Sequence, residues 1–97
     1  MQIIYKKTFE KQLLNIVNYI AKDKINASVK FANELEKSIF SIADNPLKYK
    51  ASIYFRNENI RDMIYKGYTI IYKVSFQNNT IEVLRIFNQN KPLNSFQ

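Results

Sequence analysis

The sequence predicts an α+β fold: an N-terminal strand, a two-helix antiparallel hairpin, and then an antiparallel sheet of three to four strands. Two observations predict this order. In the first half of the chain, apolar residues recur three and four positions apart, which is the spacing of amphipathic helices. After Pro46, β-branched and aromatic residues gather in short runs separated by turn residues, as in paired strands. The 97 residues fit a single domain, 1–97, whose core would bury roughly two-thirds of the surface of the unfolded chain.

The first strand is predicted at Gln2–Lys6, where β-branched and aromatic residues are followed by two lysines. Its short length is typical of a strand at or near the edge of a sheet. Thr8 is expected to cap a first helix that ends near Lys22. The apolar residues of this helix follow the helical period: Phe9, Leu13, Ile16, Val17 and Ile20.

The second helix is predicted to begin at Asn26, because asparagine suits the N-cap position. We expect it to end near Ala43, since a residue before proline is driven out of the helical region and Pro46 follows closely. The short polar break at Asp23 and Lys24 makes the two helices an antiparallel hairpin. The apolar residues of the second helix are again at helical spacing: Phe31, Leu35, Ile39 and Ile42.

Three strands are predicted after the helices, with hairpin turns at Lys66-Gly67 and Gln77–Asn79, and consecutive strands should pair antiparallel. A shorter run at Ile53–Phe55 allows one further strand. Residues 88–97 are polar and include Pro92, so we expect them to form a loose tail. The three main strands are predicted at Ile60–Tyr65, Tyr68–Phe76 and Thr80–Phe87.

The composition restricts the chemistry that this chain could perform. It has neither cysteine nor histidine, which excludes thiolate nucleophiles, thiolate and imidazole metal ligands, and Ser-His or Cys-His catalysis. Any general acid or base would have to be Lys, Glu, Asp or Tyr. We therefore expect no metal, no other cofactor and no small-molecule substrate.

The charge of the chain favours contact with an anionic partner, which could be nucleic acid, an acidic protein or a membrane surface. The net charge is +7, and residues 45–97 carry eight basic and three acidic groups against seven and five in residues 1–44. The second half is therefore the predicted binding surface. No segment approaches the roughly 20 apolar residues that span a bilayer, so we expect a cytoplasmic protein that does not enter a membrane.

One face of the sheet is expected to be covered by the helices and the other to be open, basic and aromatic. Arg61 is the first candidate, since a guanidinium just inside a strand could bind phosphate or carboxylate with two hydrogen bonds. A salt bridge to Glu58, Asp62 or Glu82 is the structural alternative. The candidates on this face are Arg56, Arg61, Tyr65, Lys66, Tyr72, Lys73 and Arg85.

Arg85 interrupts an apolar strand, and strict alternation places it on the same face as Val83 and Phe87. Such a charge usually has a partner, either the target or a carboxylate within the chain. The seven tyrosines could stack on bases, but packing with a bonded hydroxyl is the commoner role of a strand tyrosine. We therefore expect packed side chains at Tyr19, Tyr54, Tyr65 and Tyr68.

Several segments, in this order along nearly the whole chain, resemble the RelE/ParE toxin superfamily. The segments are Asn45–Pro46, Asn59–Arg61, Gly67–Val74 and Ile81–Gln89, together with the helix pattern of Phe31, Ala32, Leu35 and Ile39. The resemblance implies a toxin of a type II toxin-antitoxin system, of the kind also called plasmid stabilisation proteins, whose partner is a cognate antitoxin.

Two branches of this superfamily differ in mechanism, and the chain is nearer the ParE branch. RelE-like members cleave mRNA in the ribosome with a cluster of basic residues and Tyr, or Glu and His, whereas ParE-like members poison DNA gyrase and lack that cluster. Here Thr69 stands where RelE-like enzymes often have arginine, and Asn88, Gln89 and Asn90 replace their basic residues. Leu84–Gln89 resembles the ParE ending, with Asn88 where many members have His.

The resemblance therefore implies a gyrase inhibitor that is not an enzyme. An alternative is a metal-independent, ribosome-dependent mRNA endonuclease in which Arg61, Lys73 and Arg85 hold the phosphate; a tail ending in Phe96 and Gln97 offers no catalytic Tyr or His. Another alternative is a non-toxic module that only binds an antitoxin. The predicted target contacts are Arg56, Arg61, Lys66, Tyr72, Lys73, Arg85, Asn88 and Gln89.

Overall fold

The computed structural model describes residues 1–89. Except for Asn88 and Gln89, the predicted tail at residues 88–97 lies outside them, and Asn88 belongs to the last strand rather than to a tail. The elements are β1 (Gln2–Tyr5), α1 (Lys7–Asp23), α2 (Ile25–Ser41), a short 3₁₀ helix (Ile42–Asp44), β2 (Ile60–Tyr65), β3 (Tyr68–Ser75) and β4 (Thr80–Asn88). Neither α-helix within these residues is long and apolar enough to cross a membrane.

The four strands form one sheet in the order β1-β4-β3-β2. The predicted antiparallel pairing of β2 with β3 and of β3 with β4 is confirmed. The first strand lies at an edge, as predicted, but it runs parallel to β4, so the sheet is mixed. It pairs only with the first half of β4, from Gln2 beside Thr80 to Tyr5 beside Val83.

The two helices pack on one face of the sheet, but each begins earlier than predicted. Lys6, and not Thr8, is the N-cap of α1, because its N–H still donates to Val83 O (3.0 Å) while its carbonyl accepts from Glu10 N–H. Strand and helix therefore meet at one residue. Lys24, and not Asn26, precedes α2, and it alone separates the helices.

The end of α2 agrees with the prediction to within two residues. The helix tightens into the 3₁₀ helix at Ile42, and Asn45 N–H donates to Ile42 O (3.1 Å). The predicted hairpin turn between β2 and β3 is also confirmed. Lys66 and Gly67 both have positive φ (48° and 83°), as a two-residue turn between twisted strands requires.

The main core lies between the helices and the sheet. It combines Phe9 of α1 with apolar residues of α2, such as Leu35 and Ile39, and with the facing sheet residues. The facing sheet residues are Met63, Ile70, Tyr72, Val74, Ile81, Val83 and Ile86. The core therefore occupies the face that the helix hairpin was predicted to cover.

A second, smaller core lies on the opposite face of the sheet, which we call the distal face. It contains Ile60, Ile71 and Phe87, with Tyr54 and Leu84 packed against them. Tyr54 reaches this core from the connection between α2 and β2, and its ring meets the ring of Phe87 edge-on at 5.3 Å. The distal face is thus partly covered rather than open.

The segment that covers the distal face, Ala51–Asn59, is not a strand, and the predicted strand at Ile53–Phe55 is wrong. A single bridge joins Ala51 to Arg61 at the edge of β2. Ser52 N–H still donates to Ile60 O (2.7 Å), but Ile53 N–H donates to the Asp62 side chain (Oδ2, 3.1 Å) instead of a strand carbonyl. The chain consequently turns away from the edge and onto the distal face. We call Ala51–Asn59 the cover segment.

Candidate target-binding surface

The strand register decides which candidate side chains share a face. Residues that are paired across antiparallel strands point to the same side of a sheet. Ile71 on β3 pairs with Asp62 on one side and with Arg85 on the other, so these three lie in one row of the distal face. Lys73, paired with Ile60, lies on the same face.

Arg85 reaches the distal face because of a β-bulge. The register shifts between Ile71 and Tyr72, so that Leu84 is the extra residue of β4. Val83, before the bulge, lies in the main core, whereas Phe87, after it, lies in the distal core. The expectation that Arg85 shares a face with both Val83 and Phe87 is therefore wrong, since a bulge interrupts the alternation.

Tyr72 does not lie on the open face, and its predicted position there is wrong. The side chain is 0% exposed in the main core, and its hydroxyl donates to Pro46 O at 2.7 Å. Burial raises the pKa of Tyr72, and the Arg61 guanidinium opposes this only in part. The phenol is therefore a protonated donor that fixes the chain after α2, and it is not available to a target in this state.

Arg61 also points to the helix side of the sheet, since it pairs with Tyr72. Its guanidinium donates to two backbone carbonyl oxygens, Glu58 O (2.8 Å, from Nε) and Tyr49 O (3.0 Å, from Nη1). Among residues 1–89 it forms no salt bridge with the carboxylates considered above, and Glu82 is paired with Lys6 at 3.4 Å. Arg61 therefore ties the connection between α2 and β2 to the sheet.

Tyr65 and Lys66 contact α2 instead of facing away from it. Lys66 Nζ lies 2.8 Å from Glu34 Oε2, and the Tyr65 hydroxyl donates to the same oxygen at 3.3 Å. The hydrogen bond from Lys66 lowers the pKa of Glu34, and the same bond raises the pKa of Lys66. The tip of the β2–β3 hairpin is thus joined to α2 by an exposed ion pair.

Three basic candidates remain available to a target: Arg56, Lys73 and Arg85. Arg56 is exposed in the cover segment, and neither it nor the half-buried Lys73 has an ion pair or side-chain hydrogen bond within the described chain. Arg85 donates from Nη1 to Leu84 O (2.9 Å), while its Nε is buried without a hydrogen-bond partner among residues 1–89. These three side chains therefore have no ion pair within residues 1–89, although the carboxylates of Asp62 and Glu82 also lie on the distal face.

Asn88 and Gln89 lie at the far end of the sheet, beside the β2–β3 turn. Asn88 pairs with Tyr68, and Gln89 N–H donates to Gly67 O at 2.8 Å. Lys66, Asn88 and Gln89 are thereby brought together at this end. Arg56, Lys73 and Arg85 form a separate group, so the eight predicted contacts do not make one continuous surface.

A groove of about 460 Å³ lies where α1 meets the end of β4, next to Asn88. Its α1 side is formed by Gln12, Asn15, Ile16 and Tyr19, none of which was predicted as a site residue. Their spacing, i, i+3, i+4 and i+7, puts them on one helix face, and this spacing could have identified them in the sequence as one surface. Tyr19 is 73% exposed, so the expectation that it packs is wrong, whereas Tyr65 and Tyr68 both pack against Phe31.

The arrangement suits binding of an anionic surface better than acid-base chemistry. The three residues proposed to hold a phosphate do not converge, because Arg61 faces the helices while Lys73 and Arg85 lie on the distal face. Thr69 is buried, so it adds no polar group to either surface. Within residues 1–89, no cluster of three acidic side chains is placed to hold a metal ion.

Comparison with known proteins identifies relatives over nearly the whole chain. The family described as "ParE toxin of type II toxin-antitoxin system, parDE" matches residues 3–92. A solved structure of a chromosomal ParDE toxin-antitoxin system from P. aeruginosa has a TM-score of 0.71 at 12% identity and covers 91% of this chain and 95% of its own. No curated protein sequence matches.

A second solved structure shares the fold. It is a mutant of the E. coli toxin RelE in complex with a peptide of the antitoxin RelB, with a TM-score of 0.62 and 12% identity. The match covers 98% of this chain and 88% of that chain. At this level of identity, both structures show that the α+β architecture is shared.

Proposed function

This chain belongs to the family of ParE toxins of type II toxin-antitoxin systems, and on that premise we propose that it binds and blocks DNA gyrase and that a cognate antitoxin neutralises it. The observation that carries the proposal is the position of the basic residues. The basic residues without an ion pair within residues 1–89 include Lys73 and Arg85 on the distal face, whereas Arg61, the third residue considered for holding a phosphate, lies on the helix side. Binding is therefore the function that the geometry supports best.

We assign the target contacts to Arg56, Lys73 and Arg85, with Asn88 and Gln89 at the end of the sheet as further contacts. Arg61 and Lys66 support this surface without contacting the target. Arg61 donates to two backbone carbonyls, and Lys66 forms an ion pair with Glu34. The net charge of +7 would speed the encounter with a nucleoprotein complex. The proposal places the protein in the cytoplasm.

A supercoiling assay tests the proposal. Purified chain added to gyrase and relaxed plasmid should reduce supercoiling or trap cleaved DNA. The double variant Arg56→Gln/Lys73→Gln should need about tenfold more protein for the same effect, because two contacts to the target are lost. The control Lys11→Gln/Lys22→Gln removes the same charge from the exposed surface of α1 and should act like wild type. Unchanged gyrase activity at stoichiometric excess of wild-type chain would refute the proposal.

Two other functions would give different results in cells. A ribosome-dependent endonuclease would create new 5′ ends within translated codons after induction, which primer extension detects. A non-toxic antitoxin-binding module would leave growth normal in a susceptible host when expressed alone. Growth arrest with inhibited gyrase and intact messages is the combination that we expect.

A further inference from the structure

A second groove, of about 250 Å³, lies between α1 and α2 on the helix side of the molecule, far in the fold from the distal face. We call it the interhelical groove. Its apolar lining includes Phe9 and Leu13 of α1 and Leu35 of α2. Its polar lining includes Tyr5 of β1 with one glutamate from each helix, Glu10 and Glu36.

The charge of the interhelical groove is opposite to that of the chain. Glu34 and Glu82 are both paired with lysines, whereas neither Glu10 nor Glu36 forms an ion pair within residues 1–89. Glu10 lies in the first turn of α1, where a carboxylate stabilises the helix dipole. Glu36 lies within α2 and has no such local role. Two uncompensated carboxylates therefore line one groove of a protein whose net charge is +7.

The hydroxyl of Tyr5 is a second, independent sign that the groove is incomplete. Its oxygen is buried and has no hydrogen-bond partner in the described part of the chain. Burial raises the pKa of Tyr5, and the charge of Glu36 raises it further. A buried hydroxyl without a hydrogen-bond partner lowers the stability of the fold. A bound donor would remove that cost, because the phenol oxygen could accept its hydrogen bond.

We infer that the interhelical groove receives a lysine or arginine side chain of a partner protein, whose apolar stem packs on Phe9, Leu13 and Leu35 and whose charged head binds Glu10, Glu36 and Tyr5 Oη. Long basic side chains bury their methylene groups in this way while the charge reaches polar atoms. The inference rests on the proposed function in one respect: the partner is the antitoxin. An antitoxin would then hold the toxin by an anchor outside the proposed gyrase-binding surface.

A titration with a small probe tests the groove without an antitoxin or gyrase, so its outcome is independent of the supercoiling assay. Butylguanidinium has the apolar stem and the charge of an arginine side chain, and butylurea is its neutral match. In two-dimensional NMR, butylguanidinium should shift the amide signals of Tyr5, Glu10 and Glu36. Butylurea should bind about fivefold more weakly, the range expected for partly exposed ion pairs.

The variant Glu10→Gln/Glu36→Gln should bind butylguanidinium as weakly as wild type binds butylurea. The matched control Asp44→Asn/Glu58→Gln removes two exposed carboxylates elsewhere and should retain the affinity. Signal dispersion in the same spectra reports that each variant is folded. Equal binding of the two probes, equal binding by the groove variant, or shifts confined to other residues would each overturn the inference.

Discussion

At the scale of single residues, Asp62 holds the cover segment on the distal face. The carboxylate is 3% exposed and accepts the Ile53 N–H, while its second oxygen has no partner among residues 1–89. A hydrogen bond from an N–H to a carboxylate is stronger than a hydrogen bond to a neutral acceptor. Asp62 therefore helps to direct the chain after Ala51 onto the distal face, together with the packing of Tyr54 on Phe87.

Replacing Asp62 with alanine should lower the free energy of unfolding by about 1 kcal/mol, because the part-buried hydrogen bond from Ile53 N–H is lost. Urea unfolding followed by circular dichroism measures the change. Glu58→Ala, an exposed carboxylate on the cover segment itself, is the control and should change stability by less than about 0.5 kcal/mol. Equal effects of the two substitutions would show that Asp62 does not hold the segment.

The buried phenol of Tyr72 should give the protein an alkaline limit of its own. The pKa of an unfolded tyrosine is about 10, and burial raises that of Tyr72 in the folded chain. The stabilisation by the neutral phenol is therefore complete at a pH below about 10. It is lost as the pH rises from there towards the folded pKa. Urea midpoints above pH of about 10 should fall less steeply in Tyr72→Phe than in wild type. Tyr19→Phe, at an exposed position, should keep the wild-type slope.

At the scale of elements, the ion pair between Glu34 and Lys66 joins α2 to the tip of the β2–β3 hairpin. Because hydrogen bonding lowers the pKa of Glu34, its contribution is present above the unfolded value of about 4.3 and is lost as the pH falls through the folded pKa. Glu34→Gln should therefore flatten the decline in urea midpoint below pH of about 4. Glu58→Gln, an exposed carboxylate without an ion pair in the described chain, should leave that decline unchanged.

The elements were largely predictable because their signals are local. Apolar spacing predicted both helices, and turn residues such as Gly67 predicted the hairpins. The faces of the strands were less predictable for a physical reason. Ile70, Ile71 and Tyr72 on β3 are all 0% exposed, so a central strand between two cores carries no alternation that distinguishes its sides. No sequence pattern predicted the β-bulge at Leu84 either.

The candidate site was only partly predictable, since tertiary contacts decide which charges are available. Arg61 was expected to bind a target or to form a salt bridge within the chain, but its partners are backbone carbonyls that no residue pattern predicts. Tyr72 was assigned to the wrong face. The group of Arg56, Lys73 and Arg85 combines a loop with two strands, and its use by a target stays a prediction.

At the scale of the whole molecule, the two cores differ in how much of the chain covers them. The main core lies between two helices and the sheet, whereas the distal core is covered, within residues 1–89, by Tyr54 of the cover segment. Regions with few buried contacts open at lower free energy than the rest of a fold. The cover segment is therefore expected to open more readily than the main core, which would expose more of the basic residues of the distal face.

Hydrogen exchange should reveal this difference directly. Amides in the middle of β3 and β4, such as Ile71 and Val83, should exchange most slowly, near the limit set by global unfolding. Amides of Ile53 and Asn59 in the cover segment should exchange much faster, although both form hydrogen bonds to side chains. Equal protection of the cover segment and the central strands would mean that the two faces open together.

The parallel pairing of β1 with β4 determines when the sheet can be completed during synthesis of the protein. Gln2–Tyr5 pair in the sheet with Thr80–Val83, the first half of β4, which is synthesised after both helices and the two other strands. The paired residues are distant in sequence, and distant contacts are slow to form. A nascent or prematurely terminated chain can build the helix hairpin but cannot complete the sheet, so the harmful activity of a toxin would arise only once translation has passed β4.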